Sequence, residues 1–198
     1  MAALKFMLQL EPGLAMKEVA VTMHGRFADA VEQVKITAAT PGKVAFELPI
    51  EKQHCNRLEI IHGGTIASMV DMGGSLVLAS RGLWSTGVSI DLNVTYLSAG
   101  GKVGDVIRGE AVCDKCMNPW YPEQCVPRLM LTYGDTVGKT LAFTTVRFLD
   151  KDDKVVARGS HTKFVALAQK DENNIVDELK PEENESKASN ALGASGSA

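Results

Sequence analysis

The residues with most chemical potential fall in one sixteen-residue stretch holding Asn56, His62, Gly63 and Asp71. His62-Gly63-Gly64 opens an apolar run in which Ile66, Met69, Val70, Gly73 and Val77 recur at helical spacing. Asp71 carries the one formal charge inside that run. An ionised carboxylate in such a setting is costly unless something nearby uses it or pairs with it. A helix N-terminus presents unpaired N–H groups and a partial positive charge, which can polarise a carbonyl or hold an oxyanion. Gly63 at that position would let an oxygen approach the backbone, and the Asn56 side chain would supply a second donor. Asp71, about two turns further along, would activate a water or attack directly.

A plainer account fits some of the same residues. Thr65, Ser68, Asp71 and Ser75 also fall at spacings of three and four, as the solvated stripe of a surface helix would. Two features weigh against it. The stripe has hydroxyls where a solvated face usually shows Lys and Glu. The pairs Gly63-Gly64 and Gly73-Gly74 are also expensive, by ~1 kcal/mol per interior glycine relative to Ala, and make sense if a backbone or ligand must come close. Taken alone, Asn56 reads first as a loop or capping residue, and His62 as a histidine hydrogen-bonded near the helix start.

The surrounding elements must position these groups. Residues 1–30 read as a helical lead-in, with Met16, Val19, Ala20 and Met23 as a modest apolar stripe. Alternation through Gln33 to Ala39 and Lys43 to Ile50, joined by Thr40-Pro41-Gly42, predicts a hairpin. A polar loop from Glu51 to Glu59 leads into the helix, which stops near Arg81-Gly82. Strand patterns follow over Gly87–Leu97, Lys102–Val112, Lys139–Leu149 and Lys154–Leu167, the last two joined by Asp150-Lys151-Asp152-Asp153. In the first of these, Val88, Ile90, Leu92, Val94 and Tyr96 alternate with Ser89, Asp91, Asn93 and Thr95. Strands, one long helix, then antiparallel strands predict an α+β domain over 31–167 whose sheet wraps a mostly apolar helix. Residues 113–137 interrupt the pattern as an insertion, and 168–198, acidic and then Ala/Ser/Gly-rich, read as a disordered tail.

Composition narrows the function classes. With 198 residues, 45% hydrophobic and 23% charged, the chain suits one ordinary globular domain. A net charge of -3 and the lack of a basic cluster interleaved with aromatics give no sign of a nucleic-acid partner. No run of about 18 apolar residues predicts a membrane span, and the N-terminus lacks a secretory signal. Cys55, Cys113, Cys116 and Cys125 are expected to be free thiols of an intracellular protein, cytoplasmic or mitochondrial. Cys113-x-x-Cys116 with Cys125 would offer three ligands to zinc. Lacking a fourth, the segment reads as a loop with reduced thiols, and no metal is expected.

His62-Gly63-Gly64, seven residues and Asp71, with Gly87-Val88-Ser89-Ile90-Asp91-Leu92-Asn93-Val94-Thr95-Tyr96-Leu97, resembles the hotdog-fold acyl-CoA thioesterases. Within them it is most similar to the PaaI-like and acyl-coenzyme A thioesterase 13 group. Gly138-Lys139-Thr140-Leu141-Ala142-Phe143-Thr144 and Gly159-Ser160-His161-Thr162-Lys163 extend the match. The resemblance implies an antiparallel sheet around one long central helix, homodimers or homotetramers, and active sites at the dimer interface. It also implies hydrolysis of medium- to long-chain acyl-CoA without a cofactor, coenzyme A being part of the substrate. By position Asp71 is the base or nucleophile, acting on a thioester held by the neighbouring subunit. Gly63 forms the oxyanion hole with Asn56, and Ser89 positions the water. His62, Gly64 and His161 fall among the substrate contacts, His161 near the mouth of the site. Glu59 departs from the pattern, standing where relatives have a small residue. Two rivals are a hotdog hydratase or dehydratase acting on acyl thioesters, and a non-catalytic acyl-CoA-binding protein.

Overall fold

The computed structural model describes residues 33–115 and 140–176. The N-terminal lead-in, most of the insertion and the end of the tail lie outside the described residues. The described chain forms strands β1 (Lys35–Thr40) and β2 (Lys43–Pro49), helix α1 (Gly63–Ala79), then β3 (Val88–Tyr96), β4 (Val106–Lys115), β5 (Leu141–Leu149) and β6 (Val155–Phe164). All pairings are antiparallel, in one sheet of order β1-β2-β4-β5-β6-β3. α1 lies against β2 through β6, so the sheet wraps one long helix, as the alternation and the single helical run predict.

The turns follow from their residues. Gly42 takes φ +82, which glycine adopts freely, and closes the first hairpin. In the last hairpin the Asp150 carboxylate accepts from the N–H groups of Asp152 and Lys154 at 2.8 and 3.0 Å.

The core sits between sheet and helix. Phe46 and Phe148 meet edge to face, their ring centroids 6.3 Å apart, with Met69, Val70, Leu76 and Val77 of α1 buried against the same cluster. Thr65, Ser68 and Ser75 are buried too, so the hydroxyl stripe of α1 is not a solvated face. That removes the plainer account of these residues.

Four details depart from the sequence reading. β4 starts at Val106 rather than Lys102, because Lys102 to Asp105 form a turn in which Asp105 N donates to Lys102 O and Lys102 N to Asp105 Oδ2. β4 also continues through 113–115, where Cys113 pairs with Thr144 and Lys115 with Phe143, so the insertion begins after the strand rather than at Cys113. The chain stays ordered past 167. Ala168 is buried, Ile175 N donates to Gly82 O, and Trp84 N donates to Asn174 Oδ1 at 2.9 Å. Residues 168–176 therefore strap the end of α1 instead of opening a disordered tail. Finally, Cys55 is free but Cys113 is disulfide-bonded, against the expectation of free thiols throughout. A disulfide sulfur is no thiolate ligand, which takes Cys113 out of the zinc set.

Candidate active site

The start of α1 is built by the loop before it. Cys55 bridges Ile61, Asn56 N donates to Ile60 O at 2.9 Å, and His62 N donates to His54 O at 2.8 Å. His54 is fully buried, and its Nδ1 accepts from Glu51 N at 2.9 Å. Burial pushes its imidazole below the usual value, so it is held neutral. Asn56 thus lies across a narrow loop from the residues that enter the helix.

At the helix start, His62 is the N-cap. Its Nδ1 accepts from Gly64 N at 2.8 Å, and its carbonyl accepts from Thr65 and Ile66. The plainer account of His62 is therefore realised, and the Gly64 N–H is already engaged by the protein. Among the described residues nothing accepts from the Gly63 N–H, which leaves this donor at the positive end of α1 for a ligand. Tyr96 of β3 lies against Gly63 and donates to its carbonyl at 2.8 Å, fixing the first peptide of the helix. The Asn56 carboxamide oxygen accepts from Leu58 N at 2.8 Å, so Asn56 is a loop residue as well, but its Nδ2 remains a donor.

Asp71 lies two turns along, its side chain 27% exposed. Its Oδ1 accepts from Ser89 Oγ at 2.8 Å, and His161 Nε2 approaches the same oxygen at 3.1 Å, off the line of a good hydrogen bond. His161 is 1% exposed. It is packed behind Asp71 rather than placed at a mouth. Burial pushes its imidazole down, Lys163 adds to this, and Asp71 and Asp91 oppose it. Gly74 makes the approach of His161 possible, since a Cβ there would lie 2.5 Å from His161 Nδ1. That contact explains Gly74, while Gly73 lets Phe46 and Val146 come close.

Strict alternation puts Ser89 and Leu92 on opposite faces of β3. In the structure they share one, because a bulge at Ile90 shifts the register: Ser89 is opposite Lys163, and Leu92 opposite His161. Ser89 is thereby turned towards the helix.

The structure thus gathers Asp71, Ser89 and His161 in one cluster, and Gly63, Gly64, His62 and Asn56 in a second at the helix start. Two residues went unread. Tyr96 was taken only as a strand residue, and no local signal marks its hydroxyl. Lys163 is buried and donates to Ser75 Oγ at 2.7 Å. It alternates in phase with His161 and so shares its face of β6, but only the packing of that face on α1 shows that it is buried. Among the described residues no three His, Cys, Asp or Glu side chains converge as metal ligands. Nor is any helix there long and apolar enough to cross a membrane.

Residues 58–116, which hold α1, Asp71 and Ser89, match the family model "Thioesterase superfamily". The chain is 41% identical to a putative esterase of Schizosaccharomyces pombe over 79% of this chain and 84% of that one. The chain belongs to the thioesterase superfamily. It is 31% identical to human acyl-coenzyme A thioesterase 13, covering 74% of this chain and 89% of the relative. Among solved structures, mouse thioesterase superfamily member 2 aligns with a TM-score of 0.56 and 32% identity, over 78% of this chain and 98% of that one. The PaaI protein of E. coli, 17% identical with a TM-score of 0.53, shares the hotdog fold. This thioester hydrolase is therefore an antiparallel sheet around one main helix, as its sequence suggested.

Proposed function

We propose that this thioesterase hydrolyses acyl-CoA thioesters to free acid and coenzyme A, at a site shared between two copies of the chain. Its likeness to acyl-coenzyme A thioesterase 13 supports the substrate class. The spacing of Gly63 and Asp71 along α1 carries the rest. Eight residues of helix separate them by roughly 12 Å, whereas an oxyanion donor and the base serving the same carbonyl must both lie about 3 Å from the reacting group. One helix cannot offer both to one thioester. Two antiparallel helices can, the Gly63 end of one lying beside Asp71 of the other.

The outer edge of the sheet suits such a pairing. β3 is an edge strand on which Val88 is 67% exposed, Ile90 55% and Tyr96 50%. An unpaired strand edge with exposed apolar side chains is a template for a second strand, and a two-fold axis would place two β3 strands antiparallel.

In this reading the Gly63 N–H and Asn56 Nδ2 hold the developing oxyanion. Asp71 takes a proton from a water oriented by Ser89 as the water attacks the carbonyl carbon, and that proton passes to the sulfur as the C–S bond breaks and coenzyme A leaves as the thiol. If Asp71 attacks that carbon itself, coenzyme A leaves as the thiolate and the water then hydrolyses the acyl–Asp71 anhydride, its proton going to the thiolate. His161 supports Asp71 from behind. A hydratase would need a histidine and an acid both facing the substrate; His161 is buried behind Asp71, and His62 caps the helix.

Free-thiol release from acyl-CoAs of graded chain length tests the reading, with Asp71→Ala alongside. Turnover should fall by about 10²–10⁴-fold in the variant, and the panel reads the expected preference for medium to long chains. Full turnover in folded Asp71→Ala would refute the assignment. Binding without turnover in the native chain would make it an acyl-CoA-binding protein instead.

A further inference from the structure

Four side chains form a small array between α1 and β6. Asp71 and Ser75 are four residues apart and share a face of the helix. His161 and Lys163 are two apart and share a face of the strand. The fold sets them in opposed pairs, His161 Nε2 3.1 Å from Asp71 Oδ1 and Lys163 Nζ donating to Ser75 Oγ at 2.7 Å. Across the β3–β6 ladder Lys163 stands opposite Ser89, whose hydroxyl holds Asp71 from the other side. Lys163 is 4% exposed, and its one hydrogen-bond partner among the described residues is a neutral hydroxyl.

A buried ammonium is kept at a cost unless a nearby anion offsets it. Burial favours loss of the Lys163 proton, and Asp71 opposes that loss. Three elements thus converge on one anion, with a cation seated in the gap between them. We infer that Lys163, fixed on Ser75 in the gap between α1, β3 and β6, is a positioning residue of this cluster, its amino group setting the charge balance around Asp71 and His161. The inference rests on Asp71 being the reacting group.

The charged groups facing His161 are Asp71 from α1, Asp91 from β3 and Lys163 on its own strand. From β5 it meets Thr144, whose hydroxyl donates to the His161 carbonyl at 3.0 Å. Were His161 protonated, it would hold Asp71 in an ion pair and weaken it as a base. Burial opposes that protonation most, and Lys163 adds to it by disfavouring a second cation beside itself.

The test follows the His161 imidazole by NMR through a pH titration of the full chain, its signals assigned with His161→Gln. Native protein, Lys163→Met and Ser75→Ala are compared, with kcat and KM measured on the same samples. In Lys163→Met, His161 should titrate at higher pH, and kcat should fall about tenfold or more while KM changes little. Ser75→Ala should move both in the same direction by less, and it decides the matter alone if Lys163→Met does not fold. An unmoved His161 titration in the folded variants would overturn the proposal whatever the rates do. Full turnover in Asp71→Ala would instead refute the Asp71 assignment, leaving the titration to judge Lys163 separately.

Discussion

Alanine at either glycine of the Gly73-Gly74 pair adds the same methyl group one residue apart, yet the consequences should differ sharply. A Cβ on Gly73 would meet Phe46 Cε1 at 3.1 Å and Val146 Cγ2 at 3.2 Å, both side-chain atoms that need give only slightly. A Cβ on Gly74 would lie 2.5 Å from His161 Nδ1 and 2.7 Å from Thr144 Oγ1. Replacing an interior helical glycine by Ala gains about 1 kcal/mol of helix propensity. Overpacking costs about 1–3 kcal/mol, with the size of the intrusion deciding where in that range it falls. At Gly73 the small intrusion offsets the gain, and stability should stay within about 1 kcal/mol of native. At Gly74 the imidazole must retreat by roughly 1 Å to regain ordinary contact. It is buried on its other sides, so the upper end of the range applies and the net loss is about 2 kcal/mol.

The direction of retreat matters more than the loss. His161 can move only away from α1, and therefore away from Asp71. Gly74→Ala should lower kcat about tenfold or more, while Gly73→Ala stays close to native activity. Urea unfolding at fixed protomer concentration reads the stability, and thiol release reads the rate. Equal stability and equal activity in the two variants would refute the argument.

Asn56→Ala should raise the barrier by about 3–4 kcal/mol, as loss of one oxyanion donor does; ordinary Michaelis kinetics in that variant would show that Asn56 serves only its loop. Burial holds His54 and His161 below the usual 6.5, so the unfolded chain takes up these protons first. The stability they contribute is full above about pH 6.5 and is lost as pH falls through the folded values. Urea midpoints should drop on acidification through this window and drop less steeply in His54→Gln; parallel profiles for the two proteins would count against it. Glu59 sits at φ +60, a left-handed conformation that is strained for a side chain and free for glycine. Glu59→Gly should therefore stabilise the fold by up to ~1 kcal/mol, and a loss of stability on thermal unfolding would contradict that account.

Much of this was legible from residue order because alternation and helical spacing are local signals. The hairpin at Pro41-Gly42, the helix from Gly63 and the strands that follow it all rest on them. The glycine pairs read correctly as places of close approach, and Gly74 beside His161 is the clearest instance. What stayed hidden depends on partners distant in sequence. The bulge at Ile90 is set by the register of β3 against β6, so the shared face of Ser89 and Leu92 could not be read from β3 itself. His161 looked like a residue of the site mouth because nothing in its own strand tells that Asp71 and Gly74 close over it. The strap at 168–176 was lost for the same reason, since its composition is polar and its fastening to Gly82 and Trp84 is long-range.

The hydroxyls of α1 and of its C-cap, Ser80, show why a buried helix carries so many polar residues. Thr65 Oγ1 donates to His54 O at 3.1 Å and ties down the loop that bears Asn56. Ser75 Oγ accepts from Lys163 and holds β6 beside Asp71. Ser80 Oγ accepts from Gly42 N at 3.0 Å and pins the β1–β2 turn to the end of the helix. Each is a short side chain that fixes a different element at a set height along one axis. Lys or Glu at these positions would reach past the contact and need water. Leu would fill the space without fixing the register. Placing an N–H at one end of a helix and a carboxylate two turns along demands that everything around it be held at fixed heights. The hydroxyls of Thr65, Ser75 and Ser80 therefore hold the loop, β6 and the β1–β2 turn at set heights around Asp71.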